Sequence, residues 1–273
     1  MSGIGLVARR SALFVCLLAW LVTAALWPQA QARAEAYLDK FAFQIGARAP
    51  EGEFDEIVDV AVASDASVYV ADRGAGRIQR FGPAGQFLGT WGSIGARQGQ
   101  FFGLQGVAVA PDGTVYTLEA RGLRVQHFSA QGAFLGEWGG QGSGAGQFAL
   151  HPEAWLGPHG IAVGPDGTVY VLDTYNCRVQ YFTSTGGYLG QWGSQGTGDG
   201  QFGLGPAIKG PRGIAVGPDG SVYVADTENH RVQRFTGRGV FLAKWGARGT
   251  SNGQFEAPEG VLAAPNGTVY VSD

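Results

Sequence analysis

From residue 54 onward the chain alternates apolar and polar positions in short runs separated by glycine-rich turns. The stretch 213–246 shows the pattern. Gly213-Ile-Ala-Val216 is a short apolar run, followed by Pro218-Asp219-Gly220. There proline presets φ and glycine admits a positive φ, so a turn is expected. Ser221 to Asp226 alternates Val222 and Val224 about Tyr223, and Thr227-Glu-Asn-His230 follows as a second turn. Arg231-Val-Gln-Arg-Phe235 alternates again, Gly237-Arg238-Gly239 turns, and Val240 to Trp245 forms a fourth run. Period-two alternation bounded by turn residues predicts strands. Four hairpin-linked strands in sequence are the signature of one propeller blade.

The same grammar recurs. Ser-Val-Tyr-Val-Ala-Asp at 67–72 and 221–226 has counterparts at 114–119, 168–173 and 268–273. The central tyrosines are Tyr69, Tyr116, Tyr170, Tyr223 and Tyr270, giving steps of 47, 54, 53 and 47 residues. A period of this size means stacked supersecondary units. The predicted blades are 54–92, 101–139, 148–193, 202–246 and a partial 255–273, within a propeller domain spanning 35–273. A lone strand over 37–46 aligns with the fourth strand of the other units. It would close the last blade from the N-terminal side. Asp273 aligns with Asp226, so the fifth unit has two strands. A C-terminally truncated ring is expected, short by on the order of 60 to 70 residues at this period.

Composition changes the picture at three points. The chain has 273 residues, 47 of them glycine, and these recur at set offsets beside β-branched and aromatic runs. That regularity argues for tight turns rather than disorder. Net charge is −3, so no basic field exists to hold nucleic acid. Residues 1–34 read as a signal peptide: Arg9 and Arg10 precede an apolar stretch from Ser11 to Trp27, then Pro28 and small residues at 30–34. The apolar stretch is shorter than the roughly 20 residues a spanning helix needs. A secreted or periplasmic location follows, with membrane anchoring by an uncleaved segment as the alternative. After cleavage Cys177 is the remaining cysteine, so no internal disulfide forms.

What recurs reads as architecture. Each unit ends in Trp-Gly (Trp91, Trp138, Trp192, Trp245), and a glycine-rich bridge leads to Gln-Phe (Phe101, Phe148, Phe202, Phe255). Large aromatics at these places fill the space between blades. The bridges open no helix, so they are not phosphate cradles. The acidic residue after each second strand (Asp72, Glu119, Asp173, Asp226) precedes an arginine (Arg77, Arg124, Arg178, Arg231) and reads as a turn cap rather than a catalytic or calcium-binding group.

Val-Tyr-Val-Ala-Asp-Thr-Glu-Asn-His-Arg-Val at 222–232, with variants at 173–179 and 72–78, resembles the NHL repeat. The resemblance covers about 37–273 and implies an all-β fold. That fold is an NHL-type β-propeller of four-stranded antiparallel blades, typically six in this family.

Function is sought where the repeat breaks. The steps of 54 and 53 arise from extra residues at 151–159 and 203–212, where an outer strand returns to the next inner strand. Such loops reach one rim of the central channel, and insertions on one face often build a binding face. The residue at the start of each inner strand varies among units: Val58, Gln105, His159, Arg212 and Glu259. With Trp155 and Lys209 from the insertions, the candidate ligand-binding set is Trp155, His159, Lys209, Arg212, Gln105 and Glu259. This mixture suits a small polar ligand. The alternative is loop drift between repeats.

Pro158-His159-Gly160 is similar to the Pro-His-Gly segments of peptidylglycine amidating lyase, propeller relatives in which three histidines hold zinc. The equivalent positions here carry Gln105, Arg212 and Glu259, so His159 alone matches. No catalytic residue and no cofactor is assigned, with zinc or calcium as the metals to consider. The leading reading is an exported, non-catalytic binding or scaffold module for a protein or small polar ligand. A metal-dependent lyase or hydrolase is the second. RNA binding is the third, and the acidic charge and export signal count against it.

Overall fold

The structure is a computed structural model that describes residues 53–151, 157–205 and 210–273. The signal segment 1–34, the lone strand 37–46, Trp155 and Lys209 lie outside the described residues. Four sheets have four antiparallel strands each. In chain order they are β1 (Ile57–Val62) to β4 (Phe87–Trp91), β5 (Leu104–Val109) to β8 (Phe134–Gly139), β9 (Gly160–Val163) to β12 (Tyr188–Trp192), and β13 (Gly213–Val216) to β16 (Phe241–Trp245). Within each sheet spatial order equals chain order, as hairpin links require. A fifth sheet pairs β17 (Gly260–Ala263) with β18 (Val269–Ser272). The inner strands β1, β5, β9, β13 and β17 touch in succession, so the sheets are arranged radially as propeller blades. The ring is not closed among the described residues.

The second strands are buried along their length, while the fourth strands alternate half-buried and exposed positions. The core therefore lies between blades. Trp138 sits 6.1 Å from Tyr116 in its own blade and 5.7 Å from Phe182 in the next. Trp91 and Trp192 repeat this arrangement with Phe128 and Phe235. Phe148 reaches the same Phe182 at 6.2 Å. The tyrosine of the repeated phrase bridges blades through its hydroxyl: Tyr116 donates to Ser184 O at 2.9 Å and Tyr170 to Gly237 O at 3.2 Å. In the second, third and fourth blades the β3–β4-type turn comes close to the preceding Trp; a Cβ at Gly186 would lie 2.6 Å from the Trp138 ring.

The acidic residue after each second strand is the frame's polar anchor. Asp173 is fully buried and accepts from Ala149 N–H (3.0 Å), Asn176 Nδ2 (2.8 Å), Arg178 Nε (2.8 Å) and Gln180 Nε2 (3.2 Å). Arg178 then spends its remaining nitrogens on Gln191 and on the carbonyls of Ser143, Gly144 and Gln147, which belong to the glycine-rich bridge. Asp226, Arg231 and Gln233 repeat the set, and Glu119, Arg124 and Gln126 do so with the longer acid. These carboxylates are saturated with donors, the arrangement of a structural turn cap. The turn after them ends in a left-handed residue: Gly76, Leu123, Cys177 or His230, with φ between 50° and 63°. Cys177 thus takes the slot of His230. Burial pushes its thiol up to about 11, so it stays protonated and unreactive.

Candidate functional site

Each variable residue at the start of an inner strand is tied down by its backbone. His159 N–H donates to Leu172 O, Arg212 N–H to Ala225 O and Glu259 N–H to Ser272 O. The inner strand is thereby paired to its blade from its first residue, and successive blades bring these side chains to one rim of the channel. Gln105 and His159 are one repeat apart, as are Arg212 and Glu259, and both pairs meet across a blade boundary. Gln105 Nε2 lies 3.3 Å from His159 Nδ1, and Arg212 Nη1 donates to Glu259 Oε1 at 2.6 Å. The structure therefore brings together four of the six predicted residues.

Two further residues join them that the sequence pattern did not single out. Arg73, in the β2–β3 turn, donates Nη1 to Gln105 Oε1 at 3.0 Å and pairs with Glu56 through Nε at 2.8 Å and through Nη2. In the later blades the position of Arg73 is held by Ala120, Thr174 and Thr227. The threonines instead hold the next blade's loop, through Pro211 O and Pro258 O. The result is an arc of side chains running Glu56, Arg73, Gln105, His159, Arg212, Glu259. From the neighbouring turn, Tyr175 packs its ring 5.4 Å from that of His151. Burial raises the Tyr175 hydroxyl pKa, and the nearby Arg212 charge opposes the rise.

Arg73 fixes the orientation of the Gln105 amide. Its guanidinium can only donate, so the Gln105 oxygen faces Arg73 and the NH2 faces His159. Nδ1 of His159 is then an acceptor, and the ring proton sits on Nε2. The ring is held neutral. Burial lowers its pKa to about 4, and the charges of Arg212 and Arg73 push in the same direction.

Asp59 is a second departure from the repeat. It stands where Gly106, Gly160, Gly213 and Gly260 stand in the other units. Those glycines permit close approach of adjacent inner strands, since a Cβ at Gly213 would lie 2.5 Å from Glu259 O. Asp59 instead props the first boundary, accepting from Val60 N–H and Val107 N–H at 2.9 Å each. Burial lifts its carboxyl to about 7 against those two bonds.

The described side chains of this rim do not assemble a set of metal ligands. The imidazole lies between two guanidinium charges and its Nδ1 is taken by Gln105. Glu56 and Glu259 are each paired with an arginine, and Asp59 is held by backbone donors. Among the described residues no three side chains of His, Cys, Asp or Glu converge. Zinc wants three or four such donors in one place, and calcium more oxygens still.

The other end of the channel is chemically distinct. A cavity of about 310 Å³ is lined there by Val109, Val163, Val216 and the turn prolines Pro111, Pro165, Pro218 and Pro265.

The NHL repeat family model matches residues 156–182 and 209–235, the third and fourth blades. Among solved structures, virginiamycin B lyase from Staphylococcus aureus, crystallised in inactive form with quinupristin, is 16% identical. The match covers 79% of this chain and 69% of that one, with a TM-score of 0.52. A streptogramin B lyase is likewise 16% identical over 79% of this chain and 75% of that one, at TM-score 0.53. A protein of unknown function from Bacteroides thetaiotaomicron is 17% identical, at TM-score 0.61, over 79% of this chain and 56% of that one. At these identities the likeness is one of fold. Repeat pattern, radial blades and the match of two blades to the NHL repeat model agree: the chain carries NHL repeats and has the fold of a β-propeller.

Proposed function

We propose that this propeller is an exported, non-catalytic binding module that receives a small polar ligand at the rim formed by Gln105, His159, Arg212 and Glu259. One observation carries the reading. The side chains that depart from the repeat are the ones that meet across blade boundaries, and they meet at one mouth. Loop drift would scatter polar substitutions over the surface; it would not join them into contacts across successive blade boundaries. Trp155 and Lys209 shortly precede His159 and Arg212 in the sequence and are proposed as further contacts. Export rests on the N-terminal segment 1–34.

Two structural neighbours are named as lyases, and a lyase here would place His159 at the reacting atoms. The neutral, weakly basic imidazole and its cationic flanks favour hydrogen-bonded recognition over metal-assisted chemistry. The test is a thermal-shift screen of small carboxylates, phosphates, sugars and amines against the full chain and its Gln105→Ala and Glu259→Ala variants. The reading predicts at least one class that raises the melting temperature of the parent and not of the variants. Shifts that persist in both variants, or no shift with any class, overturn it.

A further inference from the structure

The arginines of this protein divide by how their donors are spent. Arg178 and Arg231 use Nε, Nη1 and Nη2 on the frame, and Arg73 uses all three on Glu56 and Gln105. Arg212 does not. Its one ion pair runs through Nη1 to Glu259, which leaves the Nε–Nη2 edge without a partner among the described residues. That edge is the side-on face of the guanidinium, two parallel N–H donors spaced for a carboxylate. The inner strand of His159 lies against that of Arg212, a Cβ at Gly160 meeting Arg212 O at 3.0 Å, and His159 Nε2 has no hydrogen bond to another described residue. The chain Arg73 to Gln105 to His159 puts the proton on that same Nε2. Burial first, then the charges of Arg212 and Arg73, keep the imidazole neutral, while each of those arginines is itself paired with a glutamate.

We infer that the Nε–Nη2 edge of Arg212 and the Nε2–H of His159 form a three-donor site for the carboxylate group of a small ligand. The site rests on the binding reading above and names its ligand class. An anion gains from donors that are already oriented, because no side chain has to be ordered on binding. A metal cation or an ammonium group meets the opposite field. Arg73 and Gln105 act as positioning residues: Arg73 orients the Gln105 amide, Gln105 contacts His159 Nδ1, and together they set which nitrogen carries the proton. Glu259 holds Arg212 by Nη1 and so leaves the Nε–Nη2 edge unspent.

Nitrogen-detected histidine spectra of the full chain test both halves. In the free protein His159 is expected as the neutral Nε2–H form from pH 5 to 8. In Gln105→Leu the imidazole loses its Nδ1 donor, and both neutral forms should appear. Titration with acetate and succinate should move the Nε2–H resonance, and acetamide, the neutral isostere, should not. Arg212→Lys keeps the charge and loses the side-on edge, so succinate affinity should fall about tenfold. An Nδ1–H form in the free protein overturns the proposal on the wild type alone. So does acetamide acting as strongly as acetate, or unchanged affinity in Arg212→Lys. Inorganic phosphate binding more tightly than succinate overturns the carboxylate assignment. If a neutral sugar binds in a manner that depends on Gln105 and Glu259 while carboxylates do not bind, the rim is a binding site and this inference fails separately.

Discussion

Asp59 is a half-buried carboxyl in a place where the repeat has glycine, and replacing it with asparagine isolates what its charge does. In the folded chain burial lifts its pKa from 3.8 to about 7, opposed by the N–H groups of Val60 and Val107, and no neighbouring charge contributes. The folded state therefore holds a proton that the unfolded state has released. Stability from this group is fully present below the unfolded pKa and is lost as pH rises toward the folded one. Moving a carboxyl from 3.8 to about 7 corresponds to about 4 kcal/mol. Water reaching Asp59 from the channel reduces this, so about 2–4 kcal/mol is expected. Asparagine is neutral throughout, and its oxygen can still accept one of the two N–H groups. The second goes unpaired at a cost of about 1–3 kcal/mol, the same at every pH. Urea denaturation of Asp59→Asn and the parent, followed by tryptophan fluorescence from pH 4 to pH 8, reads the difference. The variant should be the less stable at pH 4 and should gain about 2–4 kcal/mol on the parent by pH 8. A stability difference that does not change with pH would refute the account of Asp59 as a half-buried, uncompensated acid.

Further outcomes follow from the frame. Arg178→Ala leaves the fully buried Asp173 without its cation and frees three bridge carbonyls, so it should lower stability by about 3–5 kcal/mol. A loss below about 1 kcal/mol in urea titration would mean the pair is not part of the frame. Gly186→Ala and Gly167→Ala both place a side chain at positive φ, but only the first meets the Trp138 ring, whereas nothing lies within 4 Å of the second. Gly186→Ala should therefore be the more destabilising by about 1–3 kcal/mol in the same titration, and equal losses would deny the inter-blade contact.

Much of this fold is written in the chain because a repeat states its rule several times. The alternation about Tyr170 and Tyr223 specifies strands, and Pro218-Asp219-Gly220 specifies the turn, with Gly220 at φ 77°. That Gln105, His159, Arg212 and Glu259 hold the same place in adjacent blades was also legible from the period, whereas which of them pair was not. Arg73 was not. It sits in an Asp-Arg-Gly turn that reads locally as structure, and its partner Gln105 lies 32 residues away in the next blade. Asp59 could have been found by carrying the column of inner-strand glycines into the first unit, where the glycine is missing. The tyrosine hydroxyls show a different limit. Alternation says which face a side chain takes, but not that Tyr116 reaches a carbonyl 68 residues on.

The central claim is that repeated residues build the frame while the departures gathered at one rim bind the ligand. Chemical-shift mapping of isotope-labelled full-length chain with succinate addresses it directly. The account predicts perturbations centred on Gln105, His159, Arg212 and Glu259, with Asp173, Arg178 and the proline-lined end of the channel silent. Perturbations centred on Pro111, Pro165 and Pro218, or spread evenly along the frame, would contradict it.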